Sequence, residues 1–116
     1  MPKTSTEKVY PPEEITARLA ASLPDWTFAD GHIRRRYKTA NWPETLMLIN
    51  AVGFLAETAW HHPDLRASYN WAEFSLMTHS AGGVTDKDFE LARRIDDLAC
   101  WQPGSEGGAL TGKPKR

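Results

Sequence analysis

The most constraining feature of the sequence is a predicted helix that is apolar around nearly its whole circumference. Asn41 is suited to cap its N-terminus, Pro43 and Glu44 suit the first turn, and the pattern runs to about Ala59. A helix apolar nearly all round has to be buried on two sides. In a chain of 116 residues, one side can pack on a sheet, and we expect the other to pack on a second subunit. The apolar residues are Leu46, Met47, Leu48, Ile49, Val52, Phe54, Leu55 and Ala56.

Alternating patterns before and after this helix predict four strands. Residues 26–28 and 33–38 are typical of two strands joined at the Asp30-Gly31 turn. Residues 65–78 alternate in the same way, and a kink near Tyr69-Asn70 splits them into two further strands. The basic run at 34–36 could bind phosphate, although a solvated strand face is the more common explanation of such a run.

Two further helices complete the predicted fold. The first runs from Pro11 or Pro12 to Leu23, and the last begins at Thr85. The order α-β-β-α-β-β-α predicts an α+β fold: a single-layer, largely antiparallel four-stranded sheet with helices packed on one face. Polar or Gly-, Pro- and Lys-rich ends predict flexible segments at 1–10 and 102–116 around a domain at 11–101.

Composition excludes several classes of function. A net charge of −1 argues against a protein built to bind nucleic acid or an anionic membrane. Cys100 is the only cysteine, so no internal disulfide can form and a reducing compartment fits. The first ten residues lack the apolar region of a signal peptide, and no apolar stretch is long enough to span a bilayer. We therefore expect a cytoplasmic protein.

Three of the four histidines are concentrated in one part of the chain. His61 and His62 stand together before Pro63, and His79 follows a predicted strand. Histidine gives and takes protons near neutral pH, because its unperturbed pKa is about 6.5. One protonated and one neutral imidazole could together dehydrate a carbinolamine, a reaction that needs both an acid and a base. Neighbouring side chains on an extended strand point to opposite sides, so a turn at Pro63 would be needed to bring the first two together.

The spacing of these residues resembles a known family. The pattern Glu57-x₃-His61-His62-Pro63-x₅-Tyr69-x₉-His79-x₈-Asp88 is similar to the signature of the pterin-4a-carbinolamine dehydratases, also described as dimerization cofactors of a homeodomain transcription factor. The resemblance covers roughly residues 24–101. It departs from the family at Trp60, where relatives are often polar, and in the strand Tyr69–Phe74, so the pocket rim could differ.

The resemblance implies a reaction and roles for the site residues. The substrate would be 4a-hydroxytetrahydropterin, and the products would be water and quinonoid dihydropterin in tetrahydropterin recycling. His61 and His79 would be the general acid and base. Substrate binding would involve His62, Pro63, Glu57 and Asp88. The pterin is the substrate, and the resemblance implies no metal or other cofactor. It also implies a homodimer or homotetramer formed through the sheet edge and the 42–59 helix.

Each of these residues also has a simpler explanation. The histidine pair could be a solvated turn, and His79 could bond only to backbone. Thr85 and Asp88 resemble a capping box, with orientation of the histidine site as a second role for Asp88. Glu57 could orient a site histidine or be an ordinary polar helix position. Trp60 and Trp71 could flank a pterin, although such aromatics more often lie in a core or interface. Zinc binding by the three histidines lacks an obvious fourth ligand.

A non-catalytic function is the alternative to dehydration. Dehydratase-like proteins also include transcriptional coactivators and assembly factors for Rubisco in carboxysomes. A protein that only binds a partner does not need the three histidines, and this sequence retains all of them. The retained histidines favour the enzyme. An aromatic amino acid hydroxylase or an assembly partner remains a candidate partner, with no role for nucleic acid or membrane.

Overall fold

The computed structural model describes residues 7–105 and 107–114, which form three helices and one four-stranded sheet. The elements in chain order are α1 (Pro12–Ser22), β1 (Thr27–Ala29), β2 (His32–Lys38), α2 (Trp42–Ala59), β3 (Asp64–Ser68), β4 (Trp71–Leu76) and α3 (Asp86–Ala99). This order is the predicted one.

The sheet is open and antiparallel throughout, with strand order β1-β2-β4-β3. One face of the central strands is buried against the helices, and it carries Ile33 and Tyr37 on β2 with Phe74 and Leu76 on β4. The predicted α+β architecture is therefore confirmed. Within the described residues, no helix is long and apolar enough to cross a membrane.

Both predicted strand turns are present. Asp30 and Gly31 have φ values of 53° and 78°, which is the left-handed backbone that an Asp-Gly hairpin turn requires. Tyr69 and Asn70 form the turn between β3 and β4, where the sequence predicted a split. β3 lies at the edge of the sheet, and all five of its residues are exposed. Its outer edge has no neighbouring strand within the described chain.

Helix α2 begins as its sequence predicts, and one of its two apolar sides packs within the domain. The Asn41 side chain accepts a 3.0 Å hydrogen bond from the backbone N–H of Glu44, which caps the helix. Val52 and Ala56 are buried against the sheet and α3. The opposite side carries a stripe of exposed apolar side chains, which we call the α2 stripe: Trp42, Leu46, Met47 and Phe54. Phe54 is 76% exposed, so one of the two predicted packing faces has no partner among residues 7–105 and 107–114.

The packed structure begins before the predicted boundary at residue 11. Tyr10 is buried, its backbone N–H donates to the Val84 carbonyl at 3.0 Å, and its hydroxyl donates to Asp86 at 2.8 Å. The assignment of 1–10 to a flexible segment missed this tyrosine because most of the residues before it, up to Lys8, are polar. Residues 1–6, 106 and 115–116 of the two predicted flexible ends lie outside the described residues.

A half-buried carboxylate fixes α3 against the sheet. Asp96 Oδ1 accepts hydrogen bonds from Trp26 Nε1 at 3.0 Å, from Arg35 at 2.9 Å and from the Tyr37 hydroxyl. Burial and the hydrogen bond to Asp96 raise the pKa of Tyr37 well above its ordinary value. Arg35, in the middle of the basic run, is thus an internal partner on the helix-facing side of the sheet.

Candidate active site

The end of α2 directs the histidine pair toward the sheet. Trp60 follows the last helical residue with φ 55° and ψ 47°, a left-handed conformation that ends the helix and reverses the chain. The backbone N–H of His61 then donates to the Ala56 carbonyl at 3.1 Å. The pair is therefore held by the helix C-terminus, and Pro63 follows immediately before β3.

The third histidine comes from a tight turn after β4. Thr78 and Gly83 form an isolated antiparallel bridge that closes the turn around His79. Gly82 has φ 78° and accordingly suits a glycine, and its N–H donates to the His79 carbonyl at 3.2 Å. His79 is exposed at the tip of this turn.

These two segments meet at one cavity of about 280 Å³, which we call the histidine cavity. It is lined by Trp60, His61, His62, Met77, Thr78, His79, Ser80 and Lys87. The structure thus brings together all three histidines that the sequence singled out. Glu57, Pro63 and Asp88 are not part of the lining; two of them contact the histidines from behind.

His61 is held by a buried carboxylate. Its Nε2 lies 2.6 Å from Asp88 Oδ1, and the Asp88 side chain is completely buried. Asp88 Oδ2 accepts hydrogen bonds from the Thr78 hydroxyl at 2.8 Å and from the Thr85 backbone N–H at 2.9 Å. With Nε2 engaged, Nδ1 is the ring nitrogen left for a substrate. The rigid carboxylate fixes both the position and the tautomer of the imidazole.

Asp88 also helps to cap the N-terminus of α3, as the capping-box alternative predicted. Thr85 is the N-cap residue, and the Asp88 side chain accepts from its backbone N–H. The capping interpretation and the histidine-orienting interpretation are therefore both present in the geometry. One buried side chain connects the start of a helix to the histidine cavity.

His62 has a weaker, exposed partner. Its Nε2 lies 2.8 Å from Oε1 of Glu57, which is in the last turn of α2. The side chains are 51% and 68% exposed, respectively, so water competes for both. The Trp60 ring packs edge-on against the His62 ring, with their centroids 5.0 Å apart.

The two tryptophans weighed as pterin neighbours lie in different places. Trp60 lines the histidine cavity and is mostly exposed. Trp71 lies at the start of β4, the end far from the His79 turn, and pairs with Lys38. The Arg36 guanidinium carbon lies over its ring, 3.5 Å from the centroid. Only Trp60 is positioned to contact a ligand in this cavity.

Sequence reasoning missed two polar residues of the site. Thr78 is buried and donates to Asp88, and Lys87 lines the cavity from the first turn of α3. The alternation along β4 could have found Thr78, because it continues the buried series of Ala72, Phe74 and Leu76 and a buried hydroxyl needs a partner. Lys87 gave no comparable signal. Among the described residues, no group of three or more His, Cys, Asp or Glu side chains is arranged to hold a metal ion.

Comparison with known proteins places the chain in a family. A family model described as "Pterin 4 alpha carbinolamine dehydratase" matches residues 8–98. A relative from Aquifex aeolicus is 42% identical over 86 residues, covering 74% of this chain and 87% of its own. One from Nocardia farcinica is 40% identical over 94 residues, covering 81% of this chain and 98% of its own. Both carry the name "Putative pterin-4-alpha-carbinolamine dehydratase".

Solved structures share the fold. A transcriptional coactivator/pterin dehydratase from Brucella melitensis superposes with a TM-score of 0.72 at 28% identity, covering 79% of this chain and 99% of its own. A pterin dehydratase-like protein identified as a RuBisCO assembly factor in the alpha-carboxysome reaches a TM-score of 0.54 at 17% identity, covering 64% and 86% of the two chains. The second likeness concerns the fold alone. The family model and the relatives together establish that this chain belongs to the pterin 4 alpha carbinolamine dehydratase family.

Proposed function

We propose that this protein dehydrates 4a-hydroxytetrahydropterin to quinonoid dihydropterin, with His61 and His79 as the general acid and base. The observation that carries the proposal is the meeting of three histidines at one cavity, with one of them held by a buried carboxylate. Membership of the dehydratase family supports the same reaction.

The chemistry follows from two proton transfers. One imidazole gives a proton to the C4a hydroxyl, and the C4a–O bond breaks as the N5 lone pair forms the double bond to C4a. The other imidazole takes the N5 proton, which yields water and the neutral dihydropterin. Each positioned acid or base contributes roughly 10²–10⁴-fold. The reaction as proposed requires no metal and no organic cofactor.

The remaining site residues bind and position. His62 borders the cavity and is the candidate for a hydrogen bond to the pterin ring, while Glu57 holds it from outside the cavity and Pro63 follows it in the chain. Asp88 sets the ring plane of His61. This assigns the substrate-binding set of the resemblance to two kinds of role: His62 at the ligand, and Glu57 and Asp88 behind the histidines.

The test is the dehydration rate of enzymatically generated 4a-hydroxytetrahydropterin. We expect wild-type protein to accelerate the reaction, and both His61→Ala and His79→Ala to lower the rate by at least about tenfold. His32→Ala is the matched control, because His32 lies outside the histidine cavity, where its ring contacts exposed Asp64 at 3.5 Å and the Asp30 carbonyl at 2.9 Å. Absence of acceleration by a folded protein would overturn the proposal.

A partner-binding function is the second candidate, and the exposed α2 stripe favours it. Apolar side chains at this density on one helix face are a common mark of a protein interface. A second copy of this chain is the occupant we propose, through α2 and the β3 edge, as a homodimer or homotetramer. If catalysis fails, binding of another protein at these surfaces becomes the leading function.

We also propose a cytoplasmic location, consistent with the single cysteine.

A further inference from the structure

A second and larger cavity adjoins the histidine cavity. It has a volume of about 470 Å³ and lies between the last turns of α2 and the first half of α3. We call it the helix cavity. Trp60, His61 and Lys87 line both cavities. The two therefore share a wall, and a ligand held against His61 in the first lies next to the second.

The helix cavity is apolar at its centre and charged at its rim. Leu55, Ala59 and Leu91 line it from the two helices. Arg94 stands at its rim in an exposed ion pair with Glu90, at 3.8 Å. An exposed pair of this kind is weak and exchanges readily with other partners. An incoming carboxylate could therefore replace Glu90 at the Arg94 guanidinium, which binds carboxylates well.

The chemistry of the proposed substrate determines which of its parts could enter this cavity. C6 of a pterin is bonded directly to N5, the atom that loses a proton. If His61 or His79 faces C4a and N5, the substituent at C6 begins close to the reacting edge of the ring. His61 borders both cavities, so a long C6 substituent has a direct route into the helix cavity.

We propose that the helix cavity is a subsite for the C6 substituent of the pterin, and that it suits a substituent with a flat apolar body and an acidic end. This inference rests on the proposed dehydratase function. The apolar body lies between Leu55, Ala59 and Leu91, and the acidic end reaches Arg94. A short polar substituent would leave most of the cavity unfilled and gain little from it.

The experiment compares two pterins by isothermal titration calorimetry. 7,8-Dihydropteroate carries an aryl carboxylate at C6, whereas 7,8-dihydrobiopterin carries a short uncharged chain. We expect dihydropteroate to bind about tenfold more tightly, because only its C6 substituent carries a benzene ring that can be buried in the helix cavity. Ala59→Leu, which fills the cavity from α2, should remove this preference while leaving the affinity for dihydrobiopterin unchanged.

Charge recognition is tested on the same pair of ligands. Arg94→Gln should weaken dihydropteroate binding by about fivefold or more and leave dihydrobiopterin unaffected. Arg93→Gln is the matched control, because Arg93 is an exposed neighbour on α3 that does not line the cavity. Glu90→Gln should strengthen dihydropteroate binding, since it removes the competing carboxylate.

The outcomes separate this inference from the function on which it rests. Equal affinity for the two pterins, unchanged by Ala59→Leu and Arg94→Gln, would overturn the subsite and leave the dehydratase intact. Binding of neither pterin would overturn the proposed function and the subsite with it. A preference for dihydropteroate that only the cavity variants remove supports the subsite.

Discussion

His61 and Asp88 are joined by a 2.6 Å contact between Nε2 and Oδ1, and the carboxylate of this pair is completely buried. Replacing a buried carboxylate leaves the groups that hydrogen-bond to it without their acceptor, and this is costly where water cannot replace it. Asp88 contacts the reactive imidazole on one side and the start of α3 on the other. Its substitution should therefore alter both catalysis and stability.

We expect Asp88→Asn to lower the dehydration rate by about tenfold or more, because the amide no longer fixes the His61 ring as the carboxylate does. The free energy of unfolding should fall by about 1–3 kcal/mol. Steady-state rates and urea denaturation measure the two effects. Thr85→Ala is the comparison: loss of the helix cap costs about 1 kcal/mol, while the contact with His61 is kept and the rate should stay close to wild type. An Asp88→Asn enzyme with a wild-type rate would exclude a positioning role.

Glu57→Gln should have a much smaller effect. The Glu57–His62 contact is as short as a good hydrogen bond, but both side chains are largely exposed. Exposed pairs contribute about 0–1 kcal/mol, so we expect the ratio kcat/KM to change by less than about fivefold. A loss as large as that of Asp88→Asn would show that His62 depends on its carboxylate as much as His61 does.

Prediction from the sequence succeeded where local rules decide the outcome. The Asn41 cap, the Asp30-Gly31 turn and the Thr85–Asp88 capping box each depend on residues within a few positions of one another. His61 and Asp88 are 27 positions apart in the sequence. The motif spacing of a known family was needed to predict that they belong to one site. Tyr10 was missed because its partner Asp86 is 76 positions away and the mostly polar segment before it gave no periodic signal.

The left-handed tryptophan provides a test that separates backbone strain from ligand contact. Trp60 has φ 55°, a conformation that glycine adopts without penalty and alanine does not. We expect Trp60→Gly to be more stable than Trp60→Ala by about 1 kcal/mol in chemical denaturation. Both variants lose the ring that borders the histidine cavity, so both should raise KM for the pterin to a similar extent. Equal stability of the two variants would contradict the strain at this position.

High pH should destabilise the protein through Tyr37. Burial and the hydrogen bond to Asp96 raise its pKa above the ordinary value of 10.0, so the folded state holds this proton more tightly than the unfolded chain. The stabilisation is complete below the ordinary value and is lost as the pH rises above it. We expect the free energy of unfolding to fall above about pH 10, and to fall less steeply in Tyr37→Phe. Urea denaturation from about pH 8 to 11 measures the slopes, and identical slopes would contradict this assignment.

The α2 stripe predicts self-association. Size-exclusion chromatography with light scattering should give a multiple of the 13.0 kDa chain mass. Met47→Glu together with Phe54→Glu should shift the protein toward the monomer, because the charges would have to be buried without partners. Ala20→Glu, on the exposed side of α1, is the control and should leave the mass unchanged. A wild-type monomer would exclude the stripe as a contact between copies.

The double attachment of Asp88 has a consequence for how relatives of this protein diverge. A relative that lost catalysis could lose His61 or His79 at no cost to folding. It would still need an acidic residue to cap α3 and to accept the hydrogen bonds of Thr78 and Thr85. We therefore expect the aspartate to be retained after the activity is lost, because folding still requires it. In sorting enzymes from proteins that have taken up other work, the histidines are the informative markers, and the carboxylate that supports one of them is not.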